Sequence, residues 1–222
     1  MVCGLALALS ACTALADAAV PYKDTNVAGT IGLCDRTGKA IHHGKVSDGP
    51  FVWLAASSSP ARAPYDGYGK SATLYAYQPL QGSPPEDWRG YQLTASTSYG
   101  NPATPTVEAI ADDGPQLKEF MKVDPPQWNG LIQLRIYLAV LGQPVYNATY
   151  PATDIQVKGD TWTVVRGGNV ACDPSNATLQ PSLAPPSPAS PAAPTGTVQT
   201  PLTATPSPGA GARSPSSSPS AP

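Results

Sequence analysis

Charge is scarce in this chain, and so are the residue types on which much catalysis and metal binding depend. Only 13% of the 222 residues are charged, the net charge is −2, and there are two histidines. A net charge so close to zero gives no general attraction to nucleic acid or to an anionic membrane surface. The 20 glycines and 27 prolines are typical of a turn-rich exported protein rather than of a cytosolic enzyme.

The sequence also lacks the short motifs of common catalytic and phosphate-binding sites. It has no Gly-x-Ser-x-Gly segment, its carboxylates are scattered, and we interpret His42 and His43, which glycines flank, as part of a solvated loop. Residues 67–71 resemble the end of a P-loop, but Pro64 stands where that motif needs glycine, so we interpret them as a loop or hairpin. We therefore expect a non-enzymatic protein without catalytic residues, metal or cofactor. An unrecognised extracytoplasmic hydrolase is the alternative.

Both ends of the chain differ in composition from its middle. Residues 1–19 form a short apolar run with small residues before Val20, which predicts a signal segment rather than a transmembrane helix. Residues 9–12 also match a lipobox, so a lipid on Cys12 is an alternative anchor. Residues 175–222 are almost entirely Pro, Ala, Ser, Thr and Gly, which predicts a disordered stalk.

Residues 20–174 carry the patterns of short strands separated by turns. Residues 131–140 alternate between apolar and polar side chains, which predicts a half-buried antiparallel strand. Residues 154–158 and 161–166 flank Gly159-Asp160 and predict a two-residue hairpin with Trp162 in the core. Other strand candidates are residues 30–34, 51–56, 72–78 and 91–97.

One helix is predicted, between two of these strands. Asp113 is its expected N-cap, Leu117, Phe120 and Met121 share one side, and residues 124–126 (Asp-Pro-Pro) end it. We expect about two turns of helix, because a longer run would include those prolines.

Two cysteines, Cys34 and Cys172, bracket this foldable part. In an oxidising compartment they predict one disulfide that joins the first and last strands; two unpaired buried thiols are the alternative. About seven strands in this length predict an all-β fold, an Ig-like antiparallel β-sandwich with one short inserted helix, followed by a disordered tail. The cysteines are too far apart in sequence for the inter-sheet bond of antibody domains.

Three segments and the stalk together resemble uncharacterised exported proteins of high-GC Gram-positive bacteria. The segments are residues 20–24 (Val-Pro-Tyr-Lys-Asp), 32–35 (Gly-Leu-Cys-Asp) and 161–164 (Thr-Trp-Thr-Val). The resemblance implies an extracytoplasmic location, secreted or attached to the cell envelope, and carries no activity. Nothing apolar or basic follows Pro222, so we expect a released protein or one whose C-terminal segment is missing. Membrane contact is expected only through such a segment or a lipidated Cys12.

Aromatic residues give the one indication of a binding site. The chain has ten tyrosines and four tryptophans, and Tyr65, Tyr68, Trp88 and Trp128 lie in turn-rich stretches. Exposed tyrosine and tryptophan on loops are typical anchors for protein or sugar ligands, although each can instead close the end of a sandwich. We predict a cell-surface or secreted binding module for a protein or cell-wall ligand. A carbohydrate-binding module that uses these aromatics is the alternative.

Overall fold

The computed structural model describes residues 20–178, and this part folds as an all-β sandwich. Two antiparallel sheets and one short α-helix make up the fold, as the sequence predicts. The predicted signal segment, Cys12 and the stalk beyond Thr178 lie outside the described residues.

The smaller sheet has three strands in the order β1-β3-β7, and the larger has the order β11-β6-β4-β8-β9-β10-β2, with β5 paired to β4. The strands are β1 Ile31–Cys34, β2 His43–Lys45, β3 Leu54–Ser57, β4 Ser71–Tyr77, β5 Gly90–Gln92, β6 Thr97–Tyr99, β7 Thr106–Glu108, β8 Leu131–Ala139, β9 Ala152–Lys158, β10 Thr161–Arg166 and β11 Ala177–Thr178. Apolar side chains from both sheets form one shared core between them. We call the face of the larger sheet that points away from this core its outer face.

The predicted β9-β10 hairpin is confirmed in its register. Thr161 pairs with Lys158 and Trp162 with Val157, on either side of the Gly159-Asp160 turn. The Trp162 side chain is fully buried, and its ring lies 5.9 Å from that of Phe51. Turn type and hydrophobic pattern therefore specify the same pairing, because a slip by one residue would expose the indole.

Strand β8 departs from the half-buried strand that its alternation predicts. Ile132, Leu134 and Ile136 face the core as expected, but Gln133 and Arg135 on the outer face are also almost fully buried. The prediction of a solvated second face is therefore wrong. The outer face is covered by residues from distant parts of the chain, which the local pattern of one strand does not encode.

Two shorter segments also differ from their predictions. Residues 91–97 are not one strand, because β5 ends at Gln92 and β6 begins at Thr97; between them the Thr94 hydroxyl accepts a hydrogen bond from the Leu74 amide (3.2 Å) in place of a backbone partner. His43 belongs to an edge strand paired with β10, not to a solvated loop. Gly44 permits that pairing, because a Cβ there would meet the Trp162 ring at 2.8 Å.

The helix lies where the sequence predicts it, with a different beginning. Helix α1 spans Gln116–Val123, buries Leu117 and Phe120, and ends before Asp124-Pro125. Asp113 does not cap it: this residue lies in a preceding 3-10 turn, where its carboxylate accepts a hydrogen bond from the Ile110 amide (2.8 Å). The N-cap position of α1 is held by Pro115.

The predicted disulfide joins Cys34, at the end of β1, to Cys172. The chain then stays in the folded body for six more residues, because β11 pairs with β6. Asn176 is buried, and its side-chain amide donates to the Thr104 carbonyl (2.6 Å) and to the Thr106 hydroxyl (2.9 Å). Residues 175–178, assigned to the stalk from composition, therefore belong to the β body.

Candidate functional site

The structure separates the four aromatic residues predicted as ligand contacts into two places. Tyr65 and Tyr68 lie in the loop before β4, whereas Trp88 and Trp128 lie against Tyr22, with ring centroids 4.8 and 5.6 Å from its ring. Trp128 is half-buried and Trp88 is only 4% exposed. The expected exposure is therefore wrong for Trp88, because Tyr22 covers it.

Tyr65 and Tyr68 belong to a surface that we call the open end, formed by residues 58–70 and 140–149. Its most exposed large side chains are Tyr68 (97%), Leu141 (85%), Val145 and Tyr146. These are four of the five large hydrophobic side chains that are exposed within residues 20–178; the fifth is Val123, at the end of α1. Exposed apolar side chains scattered singly are ordinary, but several on one surface are typical of an interaction site.

Contacts between the two loops hold the open end in shape. The Tyr65 hydroxyl donates to the Pro144 carbonyl (2.8 Å), and the Tyr65 and Tyr146 rings lie 5.2 Å apart. Tyr146 forms an antiparallel bridge to Leu138 of β8, and the Tyr99 hydroxyl of β6 donates to the Tyr65 carbonyl. The exposed side chains are thus carried by loops that are anchored to the larger sheet.

Two cavities open on this end of the molecule. One, of about 470 Å³, combines the Tyr65 and Tyr146 rings with Arg62 and with polar side chains from Ser57, Ser59 and Thr149. The other, of about 520 Å³, lies between Tyr68, Lys70 and Leu141. Both volumes fall within the range of ligand pockets. Stacking surfaces, hydroxyls and two cations are therefore available at one place.

The second region is a buried cluster on the outer face, centred on Arg135. Its guanidinium lies over the rings of Tyr77 (3.8 Å) and Tyr150 (4.4 Å), and donates to the Gln133 side-chain oxygen (2.6 Å) and the Pro85 carbonyl (3.0 Å). A buried arginine is stable only when it is paired and hydrogen-bonded, and here aromatic faces complete its surroundings. We call this group the arginine cluster.

An ion pair between Arg166 and Asp154 lies beside the arginine cluster. The Nε atom of Arg166 is 2.5 Å from the Oδ2 atom of Asp154, whose side chain is fully buried. Burial raises the pKa of the Asp154 carboxyl above its ordinary value, and the nearby Arg166 charge opposes that shift. Burial likewise raises the pKa of Tyr22, Tyr77 and Tyr150.

Only part of this arrangement is indicated by the sequence. Loop 140–149 was missed as half of the open end, although Leu141, Val145 and Tyr146 stand out as apolar residues in a stretch with turn residues. The arginine cluster was missed because Arg135 falls on the face that alternation assigns to solvent. Within residues 20–178 no group of three or more His, Cys, Asp or Glu side chains is placed to hold a metal ion.

No family model matches the chain, and neither a curated protein nor a solved structure matches it. In residues 20–178 no helix is long and apolar enough to cross a membrane.

Proposed function

We propose that this protein is an exported, non-enzymatic binding module, displayed on its proline-rich C-terminal segment, and that the open end is its ligand-binding surface. The observation that carries the proposal is the concentration of Tyr68, Leu141, Val145 and Tyr146 on one end, beside two cavities. Exposing these side chains has no stabilising effect on the isolated fold, whereas burying them under a ligand would remove apolar surface from water. The ligand we propose is a protein or cell-wall component.

Export is supported by the disulfide between Cys34 and Cys172, since such bonds persist mainly in oxidising compartments. The resemblance to exported proteins of high-GC Gram-positive bacteria supports the same location. Attachment to the envelope would then be through a lipid on Cys12 or a further C-terminal segment, and the module would otherwise be secreted.

A carbohydrate is the second candidate ligand, and one feature favours it. The cavity of about 470 Å³ brings tilted tyrosine rings and the hydroxyls of Ser57, Ser59 and Thr149 together with Arg62. Aromatic faces combined with a few directed polar groups suit a ring that is apolar on one side and carries hydroxyls at its edge.

The proposal is tested by measuring binding of the oxidised protein to purified cell-wall fragments and to a glycan array. We expect saturable binding to at least one probe, and its loss in the Tyr68→Ala, Tyr146→Ala double variant. Val123→Ala is the matched control, because Val123 is exposed (61%) but lies outside the open end. Binding to wall fragments without binding to any free glycan would favour a protein or composite wall ligand.

Two results would contradict the proposed site. One is binding that survives the double variant; the other is binding lost equally in Val123→Ala. Turnover of an ester, peptide or glycoside by the wild-type protein, abolished by a single histidine or aspartate substitution, would favour the hydrolase alternative instead.

A further inference from the structure

The first described residues of the chain, 20–29, cross the outer face as a strap with bends at residues 21, 22 and 29 and a turn at residues 25–26. Over residues 21–25 the side chains alternate in exposure: Tyr22 and Asp24 point inward, whereas Pro21, Lys23 and Thr25 are exposed. Two side chains of this stretch therefore enter the cluster below.

The two inward side chains meet complementary groups. The Tyr22 hydroxyl donates to the Oδ1 atom of Asp154, and its ring packs on Trp88 and under the Arg166 guanidinium. The Asp24 carboxylate, 1% exposed, lies 3.6 Å from the Arg135 guanidinium and accepts a hydrogen bond from the Tyr150 hydroxyl (2.9 Å).

Each of the two arginines on the outer face is paired with one carboxylate, and one of those carboxylates belongs to the strap. Below the strap lie two arginines, Arg135 and Arg166, and one carboxylate, Asp154; Asp24 of the strap supplies the second negative charge. Without that carboxylate, the Arg135 charge would be buried and unpaired, which is strongly unfavourable. The cluster is therefore complementary, in charge and hydrogen bonding, to a segment with a phenol at one position and a carboxylate two residues later.

Main-chain hydrogen bonds also join the strap to the body. Its backbone makes three hydrogen bonds to residues 150–152, from Ala28 to the Tyr150 carbonyl and from Tyr150 and Ala152 to the carbonyls of Asn26 and Gly29. Gly29 joins it to β1 with a φ of 96°, a conformation that favours glycine. The strap is thus held by main-chain pairing, as in peptide recognition by strand addition, and by the Tyr22 and Asp24 side chains.

We propose that the arginine cluster, with Asp154 and Arg166, is a peptide-binding site for a Tyr-x-Asp segment, which the chain's own strap fills and which the same segment can fill in trans. The site adjoins the open end, because Ala28 and Tyr150 also line the cavity of about 470 Å³; the inference does not depend on the function proposed for that end. Residues 20–29 are, in this proposal, an intramolecular ligand of the chain that binds them.

The test uses the full oxidised chain with Tyr22→Ala and Asp24→Ala, and a fluorescent peptide of residues 20–29 as the probe. We expect saturable binding of the peptide to the variant and none to the wild-type chain, whose site is filled. A peptide with Asp24→Asn should bind about tenfold more weakly, because it lacks a charge-assisted contact. A peptide with Lys23→Ala is the matched control and should bind like the parent.

Stability measurements keep the test decisive if the variant does not fold by itself. In that case the parent peptide should restore a cooperative thermal transition, and the Asp24→Asn peptide should restore it less at equal concentration. The inference is overturned if a folded variant does not bind the peptide, if an unfolded one is not rescued, or if all three peptides act alike. Equal binding to the wild-type chain would also overturn it.

Discussion

Two tyrosine-rich regions of this molecule have opposite relations to solvent. At the open end, Tyr68 and Tyr146 are exposed beside cavities, whereas on the outer face Tyr137 and Tyr150 are buried around Arg135. The difference does not arise from residue type or from the strands themselves. It arises from the strap and from the loop that carries Pro85 and Trp88, which together cover Arg135 on the outer face and leave Tyr68 exposed at the open end.

Two of the four predicted ligand contacts lie away from the open end, because they pack against the strap. Tyr65 and Tyr68 precede β4 and remain near solvent, but Trp88 and Trp128 contact Tyr22 of the strap. An aromatic residue in a Pro-rich turn is available to a ligand only when no other part of the chain covers it. The two regions can therefore be distinguished by substitution, pH and binding.

The largest expected effect is that of Arg135→Ala. If the outer face is sealed, this change leaves Asp24 buried without its partner and should lower the free energy of unfolding by about 3–5 kcal/mol. Urea denaturation at neutral pH measures it. Lys158→Ala, at the exposed end of β9, is the control and should change stability by no more than about 0.5 kcal/mol. Equal, small effects of both substitutions would mean that the outer face is open to water.

Alkaline pH should lower the free energy of unfolding by less than Arg135→Ala does, and this loss should come from the buried tyrosines. Because burial raises the pKa of folded Tyr22 above its ordinary value of 10.0, the unfolded chain loses this proton first as the pH rises. Stability is therefore unaffected by this group below about pH 10 and falls above it, by at most about 1.4 kcal/mol per pH unit. Unfolding midpoints measured between about pH 8 and pH 11 check this: this group should leave them unchanged up to about pH 10 and lower them above it.

The matched substitutions for the pH experiment are Tyr22→Phe and Tyr68→Phe. The first removes the buried phenol and should reduce the alkaline slope; the second is the surface control, at a residue that is 97% exposed. A slope that responds to Tyr68→Phe and not to Tyr22→Phe would reverse our assignment of the two regions.

The smallest effect on stability is expected at the open end. Tyr68→Ala and Leu141→Ala remove side chains that are 97% and 85% exposed, so the free energy of unfolding should change by no more than about 0.5 kcal/mol. Thermal unfolding checks this. A loss of several kcal/mol would show that these side chains stabilise the fold, and would remove the main support for the open end as a ligand surface.

The elements that the sequence predicts well are those specified by neighbouring residues. The β9-β10 hairpin follows from Gly159-Asp160 and the flanking alternation, and α1 ends where Asp124-Pro125 requires it. The disulfide was predictable because residues 20–178 contain two cysteines, which allow one pairing. These features depend on local pattern or on residue counts, both of which a single sequence provides.

The parts that the sequence did not predict depend on contacts between distant residues. Tyr22 and Asp154 are 132 positions apart, and nothing near either one indicates that they meet. Arg135 was assigned to solvent because alternation describes a strand but not what covers it. Half of the open end was missed for the same reason, since loops 58–70 and 140–149 become one surface only after the sheets have formed.

Hydroxyl-radical footprinting of the oxidised full chain distinguishes a covered outer face from an open one, because it measures the solvent exposure of individual tyrosine side chains. We predict rapid oxidation of Tyr68 and Tyr146, and slow oxidation of Tyr22, Tyr137 and Tyr150 until the protein is unfolded. Oxidation of Tyr22 and Tyr150 at the rate of Tyr68 in the native protein would contradict the account, since the strap would then not seal the outer face.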